Sequence, residues 1–157
     1  MLAGRPENPK EGIVTASQEP FTIYVGMALT DAPVEFREDF QAELKHLLRQ
    51  IPGVVILDFI GLVNGSNTDV SRYDKKCTQG ATLCVFILTH PSTGLGKEVA
   101  YREAVEKDAL YFAAVGARVT RMVLGELEDR NCPLHRYTSA QEVADIVRAY
   151  VMQKLQP

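Results

Sequence analysis

The chain has 157 residues, 46% of them hydrophobic, and its 17 Lys and Arg against 20 Asp and Glu give a formal net charge of −3. That length suits one domain, and that apolar content suffices for a layered core built without disulfides or a metal. The acidic balance and the absence of a Lys/Arg-rich run argue against a polymeric nucleic-acid partner, and no segment approaches the ~18 apolar residues of a membrane span.

Residues 1–20 are rich in Gly, Pro, Glu and Asn, show no apolar stretch of the signal-peptide kind, and are expected to form a poorly ordered tail before a single domain over 21–157. Phe21-Thr22-Ile23-Tyr24-Val25 is β-branched and aromatic and predicts a strand that stops at Gly26. Residues 33–51 carry Phe36, Phe40, Leu44, Leu47, Leu48 and Ile51 at helical spacing, and Pro52-Gly53 ends that helix. Val54–Ile60 predicts a second strand, and Gly61–Asn67 a turn-rich loop placed to lie over a site. A polar helix follows from Thr68 or Asp69 to about Gly80, carrying Arg72, Tyr73, Asp74, Lys75 and Lys76.

Leu83–Leu88 is a run of six apolar residues, as suits a central strand buried on both faces of a parallel sheet. Pro91, Gly94 and Gly96 predict a loop after it, with Glu98 in the first turn of the next helix, which runs to about Lys107. A strand over Ala109–Val115, a short helix over Arg118–Leu124 and a strand over Leu134–Tyr137 come next. The last helix is capped at Thr138 or Ser139 and buries Val143, Ile146, Val147, Tyr150 and Val151. This alternation predicts an α/β fold, a doubly wound, mainly parallel five-stranded sheet of the Rossmann or flavodoxin kind with helices on both faces.

In such sheets ligands collect beyond the carboxyl ends of the strands, which draws attention to Ser92-Thr93-Gly94-Leu95-Gly96. Two hydroxyls and two glycines there could receive a phosphate or sugar, although Gly-x-Gly turns are also ordinary loop chemistry. Glu98 reads either as a functional carboxylate facing the crevice or as a surface residue favoured by the helix dipole. Asp74 could bring a second carboxylate to the same crevice, the pair that glycosidases use, or could be a solvated helix residue. His46, His90 and His135 are scattered, and Cys77, Cys84 and Cys132 lack C-x-x-C spacing, so neither histidine catalysis, a disulfide framework nor a zinc site is indicated. A reduced, cytoplasmic setting without a cofactor or metal is expected.

The pattern Ile23-Tyr24-Val25-Gly26, then Asp74, then Pro91-Ser92-x-Gly94-x-Gly96-x-Glu98, resembles the nucleoside 2-deoxyribosyltransferase superfamily, and looks most like its 2′-deoxynucleoside 5′-monophosphate N-glycosidases. The resemblance covers about residues 21–151 and is ungapped from Asp74 to Glu98. It implies that Glu98 is the nucleophile, that Asp74 serves the nucleobase and sugar, and that Tyr24 orients the nucleophile. Gly26, Ser92, Thr93, Gly94 and Gly96 would bind substrate or its phosphate. It further implies a homodimer in which Arg118–Gly125 of a neighbour, with Thr120 as hydroxyl and Met122 as wall, completes the pocket. Where the N-glycosidases carry Gly-Ser-Ile-Arg, this chain has Gly26-Met27-Ala28-Leu29-Thr30 and lacks the Arg, which leaves nucleoside and monophosphate substrates both open. Thr82 and Ala100 also depart from residues common in that family, at positions without a catalytic role. The implied activity is hydrolysis or exchange of an N-glycosidic bond. The alternative on the same fold is a non-catalytic protein that binds nucleotides or nucleotide sugars.

Overall fold

The computed structural model describes residues 19–57 and 65–156. In chain order these form β1 (Phe21–Met27), a π-helical turn (Phe36–Phe40) leading into α1 (Gln41–Arg49), β2 (Val54–Ile56), α2 (Asn67–Gly80), β3 (Leu83–Ile87) and α3 (Thr93–Ala104). β4 (Ala109–Ala114), α4 (Arg121–Asp129), β5 (Leu134–Tyr137) and α5 (Ala140–Leu155) complete the fold. The five strands lie in the order β2-β1-β3-β4-β5, and every pair is parallel. β3 is central and all five of its residues are buried, which is why its sequence is apolar throughout instead of alternating.

Alternation along each strand sorts side chains between two helical layers. Ile23, Val25 and Met27 of β1 and Leu83, Val85 and Ile87 of β3 pack with Leu44 and Leu48 of α1 and Val143, Val147 and Val151 of α5. Tyr24, Cys84, Phe86 and Tyr111 turn the other way, toward Cys77 of α2, Leu95 and Val99 of α3, and Leu127 of α4. A sheet covered on both faces by helices that follow each strand is the expected doubly wound, three-layer architecture.

Several boundaries differ from the sequence reading. β1 does not stop at Gly26: it continues to Met27 because Gly26 and Met27 pair in register with Phe86 and Ile87. β2 holds only Val54–Ile56 among the described residues, and the rest of the strand and loop expected over 58–64, like the tail over 1–18, falls outside them. The helix expected over 33–51 is broken into a π-turn and α1, with Phe36 stacked on Phe40 at 5.2 Å and Phe40 on Tyr137 at 5.2 Å. α3 starts at Thr93, five residues before Glu98, because the Ser92 hydroxyl caps it by accepting from Leu95 N–H at 3.4 Å. α4 likewise begins at Arg121, behind a Thr120 cap, not at Arg118.

One polar residue ties these pieces together. Arg102 of α3 is 0% exposed, and its guanidinium donates to main-chain carbonyls of Thr78 (3.0 Å), Ala81 (2.8 Å), Thr82 (3.1 Å) and Asp108 (2.6 Å from Nη2 and 3.1 Å from Nε). All five N–H groups of the side chain are thereby satisfied, which removes most of the penalty of burying a charge. The carbonyls belong to the end of α2, the turn into β3 and the turn into β4, so a single side chain on α3 ties these three places together. Replacing it with a residue of matching apolar stem removes a donor from each of those carbonyls. Arg102→Met is therefore expected to lower unfolding free energy by roughly 3 kcal/mol or more, with Arg102→Lys recovering only part, as measured by urea denaturation.

Candidate active site

Tyr24 on β1, Asp74 on α2 and Glu98 on α3 converge on the face of the sheet covered by α2, α3 and α4. Tyr24 points there because it alternates with Ile23 and Val25, and it is 2% exposed. Its hydroxyl lies beside both carboxyls and partly offsets the rise in their proton affinity. Glu98 Oε2 and Asp74 Oδ1 are buried and have no hydrogen-bond partner of their own. Two carboxyl groups beside one phenol, each with a buried oxygen that lacks a hydrogen-bond partner among the described residues, form an arrangement that structural needs alone do not call for.

The space beneath Glu98 exists because residue 26 is glycine. A Cβ there would stand 2.6 Å from Glu98 Oε2 and 2.7 Å from the Phe86 ring, closer than van der Waals contact allows. Phe86 cannot yield easily, since it is fully buried and stacks on Tyr111 with ring centroids 5.6 Å apart. Gly26 thus belongs to the site as an absence of volume.

Electrostatics follow from this crowding. Burial pushes the Glu98 carboxyl up to about 8, the Asp74 charge adds to the shift, and the Tyr24 hydroxyl opposes it. Asp74 is also raised, by burial first, with the Tyr24 hydroxyl again opposing. Tyr24 is held well above the usual tyrosine range by burial and then by the two carboxylates, so it remains a neutral phenol. Burial and the neighbouring Asp74 charge therefore both favour the protonated form of Glu98 in the free protein.

Asp74 and Glu98 line a cavity of about 250 Å³ between α2 and α3. Asn67, Ser71 and Asp74 face it from α2, and Gly94, Lys97, Glu98 and Tyr101 face it from α3. Lys75 places its ammonium 5.2 Å from the centroid of the Tyr101 ring, joining the two helices beside the cavity. Ser71, Lys97 and Tyr101 are absent from the sequence reading, and Asn67 enters it only as the end of the loop expected over Gly61–Asn67, yet the signal was present: Asn67-Ser71-Asp74 and Gly94-Glu98-Tyr101 are each spaced four then three along one helix face.

The other expected residues divide. Ser92, Gly96 and Thr120 line a second, smaller cavity of about 120 Å³ with His90 and Arg118, next to the first across the start of α3. Thr93 is the first, exposed residue of α3, and Met122 is 79% exposed and lines neither cavity. Glu98 is in the second turn of α3, not the first, so the helix dipole does not account for it. Gly94 and Gly96 are helical instead of forming a loop, and Gly96 N–H is engaged by Ser92 O at 3.0 Å. Among the described residues no cluster of three or more His, Cys, Asp or Glu could hold a metal ion, and no helix is long and apolar enough to cross a membrane.

No sequence family matches the chain, and no curated protein matches it significantly. Solved structures do. The CMP N-glycosidase BcmB of Clostridium botulinum superposes with a TM-score of 0.64 at 15% identity, covering 82% of this chain and 98% of that one. A 2-desoxiribosyltransferase from Leishmania mexicana superposes with a TM-score of 0.50 at 20% identity, covering 60% of this chain and 65% of that one. At these identities the likeness is one of fold.

The raised Glu98 carboxyl has a measurable effect on stability. A carboxyl raised from about 4.5 unfolded to about 8 folded contributes stability that is full below the unfolded value and is lost as pH rises through the folded one. Glu98→Gln removes that loss, so its thermal midpoint should match wild type near pH 4 and exceed it by on the order of 5 °C at pH 8, by calorimetry. Gly26→Ala should do the opposite at every pH, costing roughly 1–3 kcal/mol because Glu98 or Phe86 must move.

Proposed function

We propose that the protein cleaves the N-glycosidic bond of a nucleoside, deoxynucleoside or 5′-monophosphate, releasing the base or exchanging it for another. The observation that carries this reading is the convergence of the Glu98 and Asp74 carboxyls under the Tyr24 hydroxyl, in the wall of a cavity large enough for a sugar ring and part of a base. Paired carboxyls are what a retaining glycosidase requires, one to attack the anomeric carbon and one to manage the proton of the leaving group. Glu98 is the nucleophile in this scheme. Asp74, itself raised by burial, protonates the base as it leaves, and water or an incoming base then resolves the glycosyl ester. The fold shared with proteins named as a CMP N-glycosidase and a deoxyribosyltransferase supports the same chemistry.

Ser92, Thr93, Gly94 and Gly96, at the start of α3, are assigned to the sugar hydroxyls or the phosphate, with Lys97 the cation nearest Glu98 along the helix. We assign Thr120 and Met122 to a twofold partner. Met122 and Val115 are 79% and 66% exposed, and large apolar side chains left in solvent suit a contact between copies of the chain.

Incubating the purified protein with a panel of nucleosides and monophosphates should yield free base by chromatography, and no release from any of them defeats the reading. Ligand-induced thermal stabilisation without product would instead favour a binding protein. With an active substrate, Glu98→Gln should lower kcat by ~10³-fold or more while substrate still raises the thermal midpoint. Sedimentation at micromolar concentration should give a dimer.

A further inference from the structure

The cavity that holds the two carboxyls has different chemistry at its two ends. α2 and α3 each return from one parallel strand to the next, so they run side by side in the same direction. Arg102 of α3 donates to Thr78 O of α2 at 3.0 Å, which sets those two residues at one level. Asp74 and Glu98 stand four residues before them and are therefore level as well, in the middle of the cavity. Toward the starts of the helices the wall is Asn67, Ser71 and Gly94, and toward their ends it is Tyr101.

Tyr101 is the one aromatic ring among the described residues that line this cavity. It follows Glu98 by three residues, on the same helix face and about 4.5 Å further along the axis. Its ring is held in place, because the Lys75 ammonium of α2 lies over one face, 5.2 Å from the centroid. Lys75 lines not the cavity but a separate surface hollow, with Arg72, Lys76 and Gln79. The ring therefore stands between that cation and the cavity, and the face turned from Lys75 is the one left for a flat ligand. A ring fixed in advance by a neighbour costs less ordering on binding than a free one.

In a nucleoside the base is attached at C1′ and the 5′ end lies across the sugar ring from it. With C1′ at Glu98, the base extends toward one end of the cavity and the 5′ end toward the other. Resting on the glycosidase reading above, we propose that Tyr101 is the platform on which the base stacks, with the 5′ end of the sugar directed to Asn67, Ser71 and Gly94. The reverse orientation would lay the hydrophilic 5′ end against an aromatic ring, and would put the base among polar side chains at helix starts that favour negative charge. Asp74, level with Glu98 on the facing helix, then borders the base nitrogen that leaves C1′. Every base has a π-face, so the ring selects for a flat aromatic leaving group, purine or pyrimidine, against an alkyl or sugar one.

Calorimetric titration with adenine, cytosine and 2-deoxyribose 5-phosphate tests this without requiring turnover. At least one base should bind, Tyr101→Leu should weaken it by ~10-fold or more, and Tyr101→Phe, which keeps the ring, should stay close to wild type. Equal weakening in the two variants overturns the platform, as does a wild type that binds neither base or a Tyr101→Leu protein that binds them as tightly. The sugar phosphate has no base and should bind both variants as it binds wild type; a loss matching that of the base would mean that the ring only braces α2 against α3. With a nucleoside that wild type cleaves, Tyr101→Leu should raise KM by a similar factor and lower kcat less. An unchanged KM overturns the platform and leaves the glycosidase reading standing, whereas base binding that depends on Tyr101, with no nucleoside or monophosphate cleaved, defeats that reading and leaves the platform.

Discussion

A buried guanidinium bonded to main-chain carbonyls sets the relation between the two helices that carry the carboxyls. Arg102 follows Glu98 by four residues on α3, and Thr78, whose carbonyl Arg102 holds at 3.0 Å, follows Asp74 by four residues on α2. Each helix is therefore fixed one turn beyond its carboxyl, at the same point, by the same side chain. Thr78 extends the link inward, its hydroxyl donating to Asp74 O and its carbonyl also accepting from Cys84 Sγ of the central strand. The distance between Asp74 and Glu98 is thus governed from the turns that lead into β3 and β4.

What this framework positions is unfavourable by itself. Burial raises the proton affinity of both carboxyls, the Asp74 charge raises that of Glu98 further, and one tyrosine hydroxyl offsets only part of the cost. The protein tolerates the pair because the surrounding layer is close-packed: Phe86 is fully buried, Gly26 leaves room for Glu98 Oε2 and no more, and Leu95 and Val99 seat α3 against the sheet. Stability given up at such a place, and recovered through Arg102 and the apolar layers, is what a preorganised site costs.

The layered fold was legible because parallel strands buried on both faces and amphipathic helices write strong periodic patterns. β5 and the cap of α5 match their expected places, as does the burial of Val143, Val147 and Val151. Tyr24, Asp74 and Glu98 were visible as a spaced motif, and the structure brings them together. The misjudged start of α3 has a local cause: Gly94 and Gly96 disfavour helix, and the sequence signal did not weigh the Ser92 cap against them. Arg102 was not legible at all, since an arginine on a helix ordinarily reaches solvent and its carbonyl partners are backbone atoms up to 24 residues away. Lys97, Tyr101 and Ser71 were hidden differently, because a cavity between two helices becomes apparent only when their faces are known to oppose each other.

That Arg102 is held by backbone atoms also bears on how the protein can change over evolutionary time. Carbonyl oxygens are supplied by every amino acid, so positions 81, 82 and 108 can drift as freely as their side chains permit without weakening the junction. The whole dependence is concentrated in one codon. Variation around it leaves the helices in register, and the cavity-facing residues of α2 and α3 can be exchanged on a frame that does not move, which allows substrate preference to diversify while the carboxyl pair stays where it is.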